Sequence, residues 1–185
     1  MQIIGITGTL GAGKGTIVEY LTLRKGFIHF SVRNYLKNIL DREMKDSNRD
    51  NYVELANHLR TLNGPSYIVD QLYNQAEASS GNAIIESIRT PGEVLSLKEK
   101  GPFVLFSVDA DPRIRYKRIR ERGSETDRIS FEEFMENERR EMNSDDPNHQ
   151  SLGQCIAMAD FRFLNNGGKD SLFHLVEEAL LKIGI

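Results

Sequence analysis

The sequence predicts a three-layer α/β protein, with five parallel strands covered by helices on both faces. Three observations carry this. Short apolar runs rich in β-branched and aromatic residues alternate with longer stretches of helical spacing. Runs of that kind fit a parallel sheet buried on both sides. The first run also ends in a glycine-rich turn that leads directly into a helical pattern.

QIIGIT (Gln2–Thr7) is the first strand. From Lys14, the residues Ile17, Tyr20 and Leu21 mark one helical face, and Gly26 stops that helix. FIHFSV (Phe27–Val32) is the second strand, and RNYLKNILDREM follows with Tyr35, Leu36, Ile39 and Leu40 at helical spacing. YVELANHLRTLNG is a helix ended by Asn63-Gly64-Pro65, and SYIVDQLYNQAEASSG is another, ending at Gly81. NAIIES (Asn82–Ser87) is the third strand. Thr90-Pro91-Gly92-Glu93 is a capping box with proline at the first helical position. PFVLFSV (Pro102–Val108) is the fourth strand, and Asp111-Pro112 caps a helix running to Gly123. Ser130–Glu133 is a second capping box, Asp160–Asn165 the fifth strand, and Ser171–Ile183 an amphipathic closing helix.

The 185 residues predict one compact domain spanning 1–185. Two connections, residues 32–81 and 109–159, are longer than one crossover helix needs and are expected to cover substrate. The net charge of −3 excludes the global basic field of a general nucleic-acid binder. Cys155 is the only cysteine, so neither an internal disulfide nor a cysteine-based zinc site can form. No apolar run reaches the length of a membrane span, and the short N-terminal run lacks a basic leader. The expectation is a cytoplasmic protein, monomeric or homodimeric, with no nucleic-acid or membrane partner.

GTLGAGKGT (Gly8–Thr16) has the G-x-x-x-x-G-K spacing of a phosphate-binding loop, and it lies between a strand and a helix as such a loop must. Gly8, Gly11, Ala12, Gly13, Lys14, Gly15 and Thr16 are therefore the candidate ATP-binding residues. Backbone N–H groups would cradle the phosphates, the helix N-terminus would favour their charge, and Lys14 would reach the β- and γ-phosphates. The usual pattern sets Ser or Thr directly after the lysine to hold Mg²⁺. Here Gly15 intervenes and the hydroxyl comes one residue late, at Thr16. Mg²⁺ would then rest mostly on ATP oxygens and water. The Thr16 hydroxyl is better placed on a phosphate oxygen, and Thr16 and Glu86 are the candidate metal residues, acting through water.

GAGKGT resembles the phosphate loop of adenylate kinases and related nucleoside monophosphate kinases. Within FIHFSVRNYLK, Ser31, Leu36 and Lys37 are similar to the family's Ser, Leu and phosphate-binding Arg, whereas Val32, Arg33 and Asn34 stand where it has Thr-Gly-Asp. IIESIRTPGEV resembles its Asp-Gly-x-x-Arg-Thr segment, with Glu86 in the place of the Asp and Arg89 in that of the Arg gripping the acceptor phosphate. YKRIRER resembles the opening of its lid, with Arg118, Arg122 and the following Arg128 as lid arginines. ADFRFLNNGG resembles instead the closing segment of dephospho-coenzyme A kinases, while IRTPGEV and RRE resemble small kinase-like proteins of archaea.

The resemblance implies a P-loop NTPase fold and transfer of the ATP γ-phosphoryl to a small phosphorylated acceptor, a nucleoside or deoxynucleoside monophosphate. It assigns Lys14, Arg118, Arg122, Arg128 and Glu86 to catalysis, and Ser31, Lys37 and Arg89 to acceptor binding. Arg60, just before the Asn63-Gly64-Pro65 stop, is a further acceptor candidate from its position alone. Arginine suits this work because its planar fork grips phosphate and stays charged. Each of these residues also has a plain reading: Ser31 as a helix cap, Lys37 and Arg60 as surface residues, the arginines as ion-paired helix faces. Two other functions stay open, a kinase for dephospho-coenzyme A or another hydroxyl, and a nucleotide-binding regulatory module. No Asn-Lys-x-Asp motif supports a GTPase.

Overall fold

The structure is a computed structural model describing residues 1–123 and 129–185. Five strands, β1 (Ile3–Gly8), β2 (Ile28–Ser31), β3 (Ala83–Glu86), β4 (Phe103–Asp109) and β5 (Phe161–Leu164), form one sheet in the order β2-β3-β1-β4-β5. Every pairing is parallel, with Ile4 opposite Ile84 and Val104, Phe30 opposite Ile85, and Val108 opposite Phe163.

The side chains of a strand alternate between faces, and each face has its own core. Ile3, Ile85 and Leu105 face a cluster with Leu36, Leu72 and Val94. Ile4, Ile84 and Phe106 face the opposite cluster, with Ile17, Leu21, Val176 and Leu180. The first layer holds α2 (Val32–Arg42), α3 (Arg49–Asn63), α4 (Tyr67–Ser79) and α5 (Pro91–Lys100); the second holds α1 (Lys14–Lys25) and α9 (Lys169–Lys182).

Local chemistry sets the helix starts. Ser31 caps α2 by accepting from the Asn34 N–H, and the Thr90–Glu93 box is reciprocal at α5. Asp111 caps α6 (Pro112–Arg122), and Ser130 caps α7 (Phe131–Met142). Two elements differ from expectation. Asn48 accepts from the Asn51 N–H, so α3 starts at Arg49 rather than Tyr52, which carries Arg49 toward the site. A short helix, α8 (Leu152–Ala157), lies in the connection for which no helix was expected after α7, with its own Cys155 buried. Burial pushes that thiol up to about 12, so it is an inert core residue. Among the described residues no helix is long and apolar enough to cross a membrane.

Candidate active site

A cavity of about 940 Å³ opens at the C-terminal end of the sheet, where parallel sheets present their ligand sites. Its two ends are built differently.

One end is the loop between β1 and α1, and Gly11, Gly13, Lys14, Gly15 and Thr16 all line it. Gly13 has φ +116°, and a Cβ there would lie 2.5 Å from Asn165 Nδ2. That amide donates to the Ala12 carbonyl at 2.7 Å, tying the loop to the segment after β5. A Cβ at Gly15, by contrast, would meet no protein atom within 4 Å. Packing within the chain therefore does not demand glycine there. Lys14 donates to the carbonyls of Gly8 (2.8 Å) and Thr9 (2.9 Å). Burial, and then the nearby Arg89, push its ammonium down to about 7, against the smaller upward pull of Glu86. An ammonium held this way has carbonyl partners but, among the described residues, no bonded anion.

The loop is braced from below. Arg115 of α6 is 2% exposed. Its Nε donates to the Ala110 carbonyl at 2.7 Å and its Nη1 to that of Leu10 at 3.3 Å, while Glu138 of α7 takes both Nη1 and Nη2. Thr9 Oγ1 donates to Asp109 at 2.5 Å.

The other end is made of side chains. Glu86, at the end of β3, accepts from Ser31 Oγ at 3.2 Å and lies 3.8 Å from His29. Ser87 follows with φ +67°, a left-handed turn rare outside glycine. Arg89 Nη1 donates to Glu141 Oε2 at 2.9 Å, and Arg49 Nη2 donates to the other oxygen. Burial would raise the Glu141 carboxyl, but Arg89 and Arg49 overcome this and hold it below its usual value. Arg60 is buried against Glu93, with Nε at 3.1 Å and Nη2 at 2.8 Å from Oε1. Glu93 Oε2 accepts the N–H groups of Arg89 and Thr90, so this pair fixes the backbone that presents Arg89. Val32, Leu36, Val53 and Ala56 give an apolar wall, beside which Arg33 lies 5.0 Å over the Tyr52 ring.

The cavity thus gathers Gly11, Gly13, Lys14, Gly15, Thr16, Glu86, Arg60, Arg89, Arg118 and Arg122 of the sequence-predicted residues. Arg118 donates from Nη2 to the Gly167 carbonyl at 3.0 Å. Arg128 lies outside the described residues. Four expectations are corrected. Lys37 points to solvent, paired with Asp41 at 2.6 Å one turn along α2, and does not line the cavity. Ser31 serves as cap and donor to Glu86, behind the lining. Gly8 and Ala12 do not line it either; they contribute carbonyls to Lys14 and Asn165. Arg60 is a core residue rather than a surface one, and only its remaining nitrogen is uncommitted.

Sequence reading missed Arg49, Glu141, Asn165 and Gln150, all lining residues. One signal was present for Glu141. Phe134, Glu138 and Glu141 stand at i, i+4 and i+7, a single helix face, and Phe134 is apolar.

A model of the AAA domain family matches residues 4–144. The chain belongs to that family. It is 28% identical over 190 residues to the UPF0200 protein MmarC7_0527 of Methanococcus maripaludis, covering 99% of this chain and 98% of that one. The fold is similar to that of TT1252 from Thermus thermophilus, with TM-score 0.63, 19% identity and coverage of 100% and 98%. It is also similar to shikimate kinase from Bacteroides thetaiotaomicron, with TM-score 0.61, 15% identity and coverage of 97% and 98%. The chain shares with these structures the fold, a five-stranded parallel sheet with a glycine-rich loop between β1 and α1.

Proposed function

We propose that the protein transfers the γ-phosphoryl group of ATP to a small phosphorylated acceptor, a nucleoside or deoxynucleoside monophosphate. The observation that carries this reading is one cavity with a half-buried ammonium that has no bonded anion among the described residues at one end and an arginine pair at the other. Phosphoryl transfer needs positioning and charge neutralisation more than covalent help, and that is what these groups supply. Loop amides and Lys14 hold the donor phosphates. Arg89 holds the acceptor phosphate, and Arg118 and Arg122 neutralise the charge in flight. The apolar wall of Val32, Leu36, Val53 and Ala56, with Arg33 and Tyr52, suits a flat organic acceptor.

Among the described residues no three His, Cys, Asp or Glu gather as a metal cage. Thr16 and Glu86 line the cavity near Lys14, which fits a Mg²⁺ that keeps most of its shell from ATP and water. The ion would neutralise the β- and γ-phosphate oxygens. Residues 32–81 and 109–159 act as the acceptor cover and the arginine-bearing lid, excluding water so that ATP is not simply hydrolysed.

One observation favours a second acceptor chemistry. Glu86 lines the cavity with Ser31 behind it, placed to take a proton from a substrate hydroxyl. Dephospho-coenzyme A and small hydroxy acids such as shikimate are its candidates. A coupled ADP-release assay over nucleoside and deoxynucleoside monophosphates, dephospho-coenzyme A and shikimate decides between them. The reading expects monophosphate-dependent turnover well above the acceptor-free rate. Turnover with a hydroxyl acceptor alone would favour the second chemistry, and slow hydrolysis indifferent to every acceptor would leave a regulatory nucleotide-binding module.

A further inference from the structure

Arg49 opens α3 and Arg89 follows β3, yet both guanidinium groups converge on one carboxylate, Glu141, near the end of α7. All three line the cavity. Glu141 is 12% exposed and, from α7, bridges α3 and the segment after β3. Arg60 faces the same cavity from α3. It is 1% exposed, and its Nη1 is buried with no hydrogen-bond acceptor. A buried donor of this kind costs free energy unless a ligand or water completes it. The cluster therefore holds two cations against one anion and has a donor to spare.

We propose that Arg49 and Arg89 form an anion subsite for the acceptor's phosphoryl group, and that Glu141 is its internal counter-ion, displaced when the acceptor binds. This rests on the kinase reading of the cavity. A phosphate dianion matches the two guanidinium charges where the single carboxylate does not. It also brings a third oxygen, the kind of group that Arg60 Nη1 lacks. Phosphate and Glu141 cannot share the arginines, since like charges at contact distance repel. Displacement also acts on α7. Glu138, one turn before Glu141, holds Arg115, and Arg115 holds the Leu10 carbonyl of the phosphate loop. Acceptor binding would thus reach the donor end through one helix. Until it binds, Glu141 keeps two arginines from facing each other bare, and it excludes anions too weak to compete.

The test is calorimetric titration of inorganic phosphate into the full chain with the phosphate loop filled by MgADP. Wild type is compared with Glu141→Gln, Arg49→Ala and Arg89→Ala. Removing the internal competitor should tighten phosphate binding by about tenfold in Glu141→Gln, and either arginine loss should weaken it by at least as much. Acetate should bind more weakly than phosphate throughout. Phosphate binding that is unchanged or weaker in Glu141→Gln, that survives both arginine substitutions, or that acetate equals would overturn the proposal. Should Glu141→Gln not fold, hydrogen exchange of the wild type decides. Phosphate should speed exchange in the last turn of α7, and slower exchange there would contradict displacement. MgADP binding, and its loss in Lys14→Met, reports separately on the kinase reading.

Discussion

The two ends of the cavity, the loop end proposed for the donor and the arginine end proposed for the acceptor, are built by opposite means. At the donor end the backbone does the work, through Gly11, Gly13 and the first turn of α1, with a single charged side chain, Lys14. At the other end side chains do the work: Arg49, Arg60, Arg89 and Glu141 arrive from two helices and a loop, with Glu141 pairing Arg49 and Arg89 and Glu93 pairing Arg60. A backbone-made site needs glycines at fixed spacing, so it prints a local pattern. A site made of side chains needs only that distant residues meet, so it prints none. The donor end is also left under electrostatic stress, whereas the acceptor end is already largely satisfied by its own carboxylates.

The largest effect should come from the stressed end. Lys14→Met should lower turnover by about 10²–10³-fold or more, read by ADP release. The same change should raise the melting temperature near neutral pH. Lys14 has its folded pKa pushed from 10.5 to about 7, so between those values the unfolded chain binds a proton that the folded chain does not. Wild-type stability should therefore gain with rising pH across that window, from this group, while below about pH 7 the penalty is fully present. The Met variant lacks that gain. Its advantage over wild type should shrink from pH 7 toward pH 10.5, and a constant difference in thermal melts would contradict the assignment.

Next comes the buried pair beneath the acceptor end. Glu93→Ala strands the Arg60 guanidinium in the core and frees the backbone at Arg89, and should cost about 3–5 kcal/mol in denaturant unfolding. Loss of less than about 1 kcal/mol would mean that the pair does not hold this segment. Gly13→Ala forces an L-residue into φ +116° and drives a Cβ into Asn165. It should cost about 1–3 kcal/mol and weaken ATP binding by calorimetry. Lys37→Ala should do least. Its ion pair with Asp41 is exposed and away from the cavity, so acceptor KM should change less than about twofold.

The same contrast explains what could be read in advance. The sheet was legible because its strands are short apolar runs closed by turn residues, and the capping box at Thr90 named the start of α5 outright. The loop was legible from its glycines. Helix α8 was not, because Leu152–Ala157 is too short for periodicity and has no side-chain cap. Arg49 was not, because it fell in a polar stretch before the apolar helical pattern began, and only the Asn48 cap draws it into α3. Lys37 was misassigned because matching a motif by order ignores facing. On α2 it lies one residue beyond Leu36, and a step of about 100° turns it from cavity to solvent. The burial of Arg60 and Arg115 was not legible, because burial of an arginine depends on a distant glutamate, Glu93 or Glu138, that no local pattern announces.

At the centre of the proposed mechanism Arg89 serves the acceptor and Lys14 the donor. Steady-state kinetics of Arg89→Ala, with the acceptor that turns over best, tests this in one series. The expected result is an acceptor KM raised by about tenfold to a hundredfold with the KM for ATP within about twofold of wild type. A rise in the KM for ATP matching that for the acceptor, or no rise in either, would contradict it.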